Sequence, residues 1–579
     1  MVRVFVGPIF SREVLTAPRQ GRHFLTRAGY VAALFVLLYT LGQVTFGWQQ
    51  VKHLGELARF GSVLFQVFSL IQLALVLFFA LLFAAGNIAQ EKDRKTLVLL
   101  LMTDLRNREL VLGKLFSSLL IVGVLLAAAL PVFTFSHLLG GVSLSQIGWS
   151  VALSGAVALA AGSWGSLVAF WREKTFQTLA WSVLGLVLFL GILEGTIALL
   201  GRDATVSTWL ALFNPFRGMI LILDPLSELA TASGVDSQPL AYVIALLALA
   251  VALDAAAILR LRVWNPSDAR YTPQKPETAD ATGKLKTRTV WHNPIIWREI
   301  MTSAYGRKIY VIKLAYLLMF IAAAYYAVRT SGLETELVLG MIAPSGFAFI
   351  GLALLSLMLV NAQAVTSLTT ERDAKTLELL LVTDITAREF IFGKLGGILY
   401  NTKEVILLPS ALAGYFAWEG TLSGENFFYV FCGFLVLVIF AAMLGLHAGL
   451  TFDNSRTAIA NSLGTMFFLF LGIFICMMLI LEGRSSFFYQ LPSFLVFILG
   501  GSLALSASLT HKNPSTALTI SAFILPFFTF YAITGFLLHE TLGVWLVILT
   551  AYGFTTIAML VPAVSEFDVA LGRTTLDRG

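Results

Sequence analysis

The chain has 579 residues, 58% of them apolar and only 12% charged, about half the charged share of an ordinary soluble domain, which excludes a water-soluble globule and indicates a polytopic membrane protein. Its net charge of +6 does not mark a nucleic-acid binder, because lysine and arginine collect in alternate loops as the positive-inside rule requires. Residues 260–313 hold eleven Lys/Arg against four Asp/Glu, whereas His137–Gln146 carries no charge and Glu419–Glu425 only acids. The two cysteines, Cys432 and Cys476, lie inside apolar runs and read as small core residues, not as a disulfide or metal pair.

In chain order, Arg3, Arg12, Arg19, Arg22 and Arg27 precede a first apolar run that is too long for a signal-peptide core and reads as a retained span. Apolar runs long enough to cross the hydrocarbon follow at 28–48, 62–86, 114–136, 148–170, 176–200 and 239–261. A segment rich in Pro, Thr and charge, 264–291, then reads as a flexible cytosolic linker. Eight further runs are expected at 309–329, 345–368, 396–418, 428–451, 458–481, 487–509, 515–538 and 541–564. The expected architecture is an all-α polytopic membrane protein with about 12–14 spans: a first half 1–263, the linker, and a second half 292–579 with an added helix pair at its C-terminal end. Both termini are expected in the cytosol.

The halves repeat each other. EKDRKTLVLLLMTDLRNRELVLGK (Glu91–Lys114) and ERDAKTLELLLVTDITAREFIFGK (Glu371–Lys394) are identical at fourteen of twenty-four positions. Upstream, PIFSRE (Pro8–Glu13) matches PIIWRE (Pro294–Glu299); downstream, WREKT (171–175) is aligned with DNSRT (453–457). Six spans and a linker separate equivalent points, so the repeats are parallel.

Each copy of the charged stretch follows the second span of its half. Leu377, Leu380 and Leu381 fall on one face at helical spacing, an amphipathic segment too short and charged to cross a bilayer. A second helix is expected to begin near Thr-Asp, with Asp104 and Asp384 capping its first amides. Thr386 and Glu389 make a capping box that the first copy lacks, since Arg106 stands at the threonine position. Gly113-Lys114 and Gly393-Lys394 close this helical elbow at the membrane surface, glycine for close packing and lysine snorkelling to the headgroups.

This pattern, a Glu, Thr-Leu five and six residues on, Leu-Leu, Thr, Arg and a terminal Gly-Lys, resembles the signature of ABC-2 type transporter permeases, the membrane subunits of type V ABC exporters. The resemblance implies that the stretch is a coupling helix facing a separate ATPase. It would place Glu91, Lys95, Thr96, Leu97, Thr103, Asp104 and Arg108 there in the first copy, and Glu371, Lys375, Thr376, Leu377, Thr383, Asp384 and Arg388 in the second. It also implies interfacial connecting helices that hold Arg12-Glu13 and Arg298-Glu299. The implied partners are two copies of an ABC ATPase subunit, the lipid bilayer and accessory export proteins, in a bacterial cytoplasmic (inner) membrane. No nucleic acid is implied, and exchange of Glu91 and Glu371 for lysine is expected to weaken docking while sparing the fold.

No Gly-x-x-x-x-Gly-Lys-[Ser/Thr] loop is present, so the chain itself is not expected to bind or hydrolyse ATP; ATP and Mg belong to the partner. No metal-binding or hydrolase motif supports an enzyme. Lys403-Glu404, about seven residues inside a span, reads either as a cavity-lining pair or as two side chains snorkelling to the interface. The expected function is a non-catalytic permease subunit; the alternatives are a self-sufficient secondary transporter or a membrane assembly factor.

Overall fold

A computed structural model describes residues 8, 10–15, 21–47, 53–200, 205–223, 239–265, 291, 293–301, 309–330, 342–377, 385–483, 487–511 and 515–570. Long apolar runs leave lipid-facing backbone one way to satisfy its hydrogen bonds, within helices, and every regular element described is helical. The first half comprises α1 (Gly21–Phe46), α2 (Leu54–Asp93), α3 (Thr96–Leu101), α4 (Asn107–Leu139), α5 (Leu144–Trp171), α6 (Thr175–Leu200), α7 (Thr205–Ala211), α8 (Pro215–Leu223) and α9 (Pro239–Trp264). The second comprises α10 (Pro294–Met301), α11 (Ile309–Thr330), α12 (Pro344–Asp373), α13 (Ala387–Asn401), α14 (Lys403–Glu419), α15 (Gly424–Thr451), α16 (Ser455–Gly483), α17 (Phe487–Leu509), α18 (Thr516–Leu537), α19 (Thr541–Val547) and α20 (Gly553–Ala570). A π-helical turn, Ile548–Tyr552, joins the last two into one long helix.

The duplication is written into the helix ends. Asp93, Asn107, Leu139, Leu144, Trp171 and Thr175 each recur 280 residues later as Asp373, Ala387, Glu419, Gly424, Thr451 and Ser455. This constant register corrects the alignment of the hinge between the fourth and fifth spans: WREKT matches Thr451–Ser455, not 453–457, because the turns of helix on either side fix it. Packing repeats as well. α2 lies on α5 and α6 as α12 lies on α15 and α16; α9 lies on α5 and α4 as α20 lies on α15 and α13. Across the middle, α2 and α1 meet α16 as α12 and α11 meet α6. The arrangement is a parallel pseudo-twofold pair.

Small residues bring the second and fourth spans of each half together, as is usual where lipid gives helices no hydrophobic reason to associate. A Cβ on Gly165 would lie 2.7 Å from the Leu81 carbonyl oxygen, and one on Gly445 would lie 2.7 Å from that of Asn361, the same contact 280 residues on. Between the halves the seam is aromatic: Phe78 of α2 stacks on Phe467 of α16 with centroids 4.2 Å apart.

Among the described residues thirteen helices are long and apolar enough to span a membrane. The span expected at 396–418 is instead two helices, α13 and α14, that meet at Thr402; its counterpart α4 runs unbroken. The pair α7–α8, bent by 88°, was not foreseen. It is pinned by Arg217, which donates from Nε to Glu194 Oε1 at 2.7 Å and from a terminal nitrogen to Oε2 at 2.6 Å. The added helices also lie elsewhere than expected. Since α19–α20 packs as α9 does, it is the sixth span of its half, and the extra pair α17–α18 is inserted before it, at the chain position that α7–α8 occupies in the first half.

Candidate functional site

The two elbows stand at one end of this bundle. α2 has 40 residues, about 60 Å at 1.5 Å per residue, twice the roughly 30 Å of hydrocarbon, so it is longer than a bilayer crossing needs, and the charged stretch begins at its C-terminal end. At its end Lys95 turns the chain with φ 58°, and Lys375 does the same with φ 56°. The next residue secures each turn: Thr96 Oγ1 donates to the Glu91 carbonyl at 3.2 Å, and Thr376 to that of Glu371 at 3.1 Å, occupying a carbonyl that the ending helix leaves free. The repeated Lys-Thr is therefore a stop-and-turn signal.

In α3, Leu97 and Leu101 are buried against Ile88, Leu110, Val111, Phe170 and Leu261, as the leucine spacing of the second copy foretells for its equivalent. Leu377 packs partly buried on the second-half core; Leu380, Leu381, Thr383 and Asp384 lie outside the described residues. Glu378, on the charged side read for the second copy, lies outside the described residues, and the outward face of α3 is apolar. Val98, Leu99 and Met102 are exposed there, Leu99 by 64% and Met102 by 70%. The signal was the unbroken apolar run "LVLLLM", which in a six-residue helix must expose what it cannot bury.

Lys95, Thr96, Thr103, Asp104, Lys375, Thr376 and Arg388 are exposed; Arg108 is half-buried, with its Nε lacking an acceptor. Asp104 does not cap the following helix. Arg106 holds the N-cap position, and its backbone N–H still donates to Glu109 at 3.0 Å, so the first copy keeps one arm of the capping box and lacks only the hydroxyl arm. In the second copy both arms are present, Thr386 N–H to Glu389 at 3.0 Å and Glu389 N–H to the Thr386 hydroxyl at 3.2 Å.

Glu91, Lys114, Glu371 and Lys394 face inward. Glu91 pairs with Lys114. Lys394, 1% exposed, holds both Glu371 and Glu299 at 2.7 Å, and Arg298 contacts the same two carboxylates. Lys394 therefore does not snorkel to headgroups; it is the hub of a buried cluster joining α10, α12 and α13. Gly393 and Gly397 admit α10 at this closeness, since added Cβ atoms would lie 2.8 Å from Ile295 and 2.6 Å from Glu299. Residues 10–15 are helical too; Phe10 meets Phe116 of α4 edge-on at 6.0 Å, Arg12 is exposed and Glu13 half-buried.

Burial alone would push Glu299 up, but Lys394 and Arg298 outweigh it and hold its carboxyl below the ordinary glutamate range. A carboxylate depressed by folding stabilises the fold above its unfolded pKa and loses that contribution as pH falls through the folded one. Acid unfolding of the purified chain should thus begin as pH drops through the ordinary glutamate range and below. Glu299→Gln should flatten this acid limb in a thermal-unfolding series; an unchanged limb would count against the cluster's role.

The elbows also touch across the pseudo-twofold. Arg94 pairs with Asp373 at 3.2 Å, and Gln90 donates to Asn454 at 2.9 Å. The second half carries Ala374 where the first has Arg94, so the ion pair has no mirror image, and Asp93 takes the Thr175 hydroxyl instead. Lys92 donates to the Arg172 carbonyl at 2.9 Å, and Arg372 donates to that of Phe452, the equivalent residue; each cation caps the C-terminal end of a fourth span, where the helix dipole favours it. Lys403 and Glu404 are not a pair. Glu404 binds Lys313 of α11 at 2.8 Å, while the Lys403 ammonium lies 4.1 Å from the centre of the Tyr400 ring.

Comparison with known proteins gives one result. Residues 9–262 match the family model described as "ABC-2 family transporter protein". No curated protein and no solved structure matches the chain.

Proposed function

Residues 9–262 belong to the ABC-2 transporter family, and from that premise we propose that the whole chain is the membrane-embedded, non-catalytic part of an ABC exporter, with both permease halves fused. The second half enters through the duplication, since it repeats the first in register and in packing. Two separate ATPase subunits, which bind the ATP and Mg, dock at the two elbows in the cytosol, where both chain termini also lie. The membrane is the bacterial inner membrane, and the substrate passes between the halves.

The observation that carries this reading is the outward apolar face of α3 on a helix otherwise locked to the bundle. Val98, Leu99 and Met102 are exposed on a short helix that follows the charged end of α2, and exposed apolar side chains beside such a charged stretch fit a protein contact. The turns at Lys95 and Lys375 and the inward ion pairs tie the described parts of the elbows to α2 and α12, a route by which force applied by a partner would reach those helices.

The test is co-purification. Leu99→Asp combined with Met102→Asp puts two charges into the contact without touching a buried residue. Loss of hot-spot contacts costs about 2 kcal/mol or more, so retention of the ATPase subunit should fall at least about tenfold while insertion and thermal stability stay unchanged. Undiminished ATPase retention by an inserted double variant would remove α3 from the interface.

A further inference from the structure

Arg172 closes α5 and lies only 5% exposed, yet its Nε has no acceptor and no acid pairs with it among the described residues. Its guanidinium is stacked 3.5 Å from the Trp171 ring centre and 5.1 Å from that of Trp181, whose buried indole N–H also lacks an acceptor. Burial lowers the pKa of Arg172, and no acid offsets it. Two buried donors side by side without acceptors are rare in a folded chain, because each costs a desolvation penalty.

The duplication shows what fills this place in the other half. The positions equivalent to Arg172 and Trp181 are Phe452 and Asn461. There the end of the inserted helix α17 supplies the partners: Asn461 donates to Ser508 at 2.9 Å, and His511 stacks on Phe452 with ring centres 4.7 Å apart. Among the described residues no helix of the first half supplies such partners, and the two donors, one of them cationic, stay unsatisfied where the second half is self-complete.

We propose that Arg172, Trp171 and Trp181 form a site for the phosphate of an anionic phospholipid in the leaflet at the elbow end. This goes beyond the permease reading and does not depend on which ATPase docks. A guanidinium fork suits a phosphate, and two tryptophans, Trp171 43% exposed, suit the boundary between headgroups and acyl chains. Lipid chains lying along α6 would take the place that α17 fills in the second half.

The experiment uses the full chain in detergent, titrated with phosphatidylglycerol, with phosphatidylcholine of the same acyl chains, and with glycerol 1-phosphate. Thermal stability and the lipid retained in native mass spectra are read together. Wild type should be stabilised by phosphatidylglycerol in preference to phosphatidylcholine and retain one more such lipid than Arg172→Gln, in which the preference falls at least fivefold. Arg172→Lys, which keeps the charge but not the fork, should retain a weakened preference and decides the matter should the glutamine variant not fold. An undiminished preference in either variant overturns the site, and glycerol 1-phosphate acting as well as the lipid would assign it to a soluble phosphate and overturn the lipid.

Discussion

Lys394→Met is expected to cost the fold about 3–5 kcal/mol, the usual consequence of removing one partner from a buried ion pair. The side chain is 1% exposed and holds Glu299 and Glu371, which are 6% and 16% exposed and, among the described residues, have only the partly exposed Arg298 to share once the lysine is gone. Lys114→Met is expected to cost less, about 1–2 kcal/mol, because its single partner Glu91 is 22% exposed and can rehydrate. Thermal unfolding of the two variants in the same detergent gives the comparison. Equal losses would show that the cluster around Lys394 contributes no more than an isolated pair. The same geometry revises the expectation that lysine at 91 and 371 spares the fold: a lysine at 371 would face Lys394 and Arg298, so loss of docking in such a variant would not separate contact from misfolding.

Gly445→Leu is the second large effect. An added Cβ would lie 2.6 Å from the Ala364 Cβ, 2.7 Å from the Asn361 carbonyl oxygen and 2.9 Å from the Val365 amide nitrogen. Two of these are backbone atoms of α12, which cannot turn aside as a side chain does, so α12 and α15 must separate. Their separation strains the bond from Asn361 Nδ2 to the Ala441 carbonyl and, through it, the bond from Ser462, both 2.9 Å and buried. Overpacking alone costs about 1–3 kcal/mol, and the polar groups add to it. Gly165→Leu should act in the same way in the first half. Gly155→Ala in α5 is the control: nothing lies within 4 Å of its added Cβ, and alanine should stabilise the helix by up to about 1 kcal/mol. The yield of monodisperse protein and its melting temperature report both. A leucine at 445 that melts with wild type would refute the close-packing account.

Local chemistry carried much of the reading. The apolar runs located the spans, since a helix in lipid needs only its own backbone partners. The repeated charged stretch marked both elbows, and the leucine spacing read in the second copy has its counterpart in the buried Leu97 and Leu101 of α3, because a short amphipathic helix has one face to hide. Thr386 and Glu389 announced a helix start that the structure contains. Each of these depends on residues within a turn or two of one another.

The amino-acid sequence by itself determined the all-helical architecture, the duplication and the placing of the elbows. Only the tertiary structure decided what the charged residues do there. Lys394 meets Glu299, 95 residues away, and Glu404 meets Lys313, 91 residues away, in preference to its neighbour Lys403. The same holds for the insertion of α17–α18 before the last span, and for the unsatisfied donors of Arg172 and Trp181, visible only beside the completed site of the other half. The reason is physical: the backbone periodicity of a helix is set locally, whereas a buried charge or donor takes whichever partner the packing of distant helices delivers, and sequence spacing carries no record of that distance.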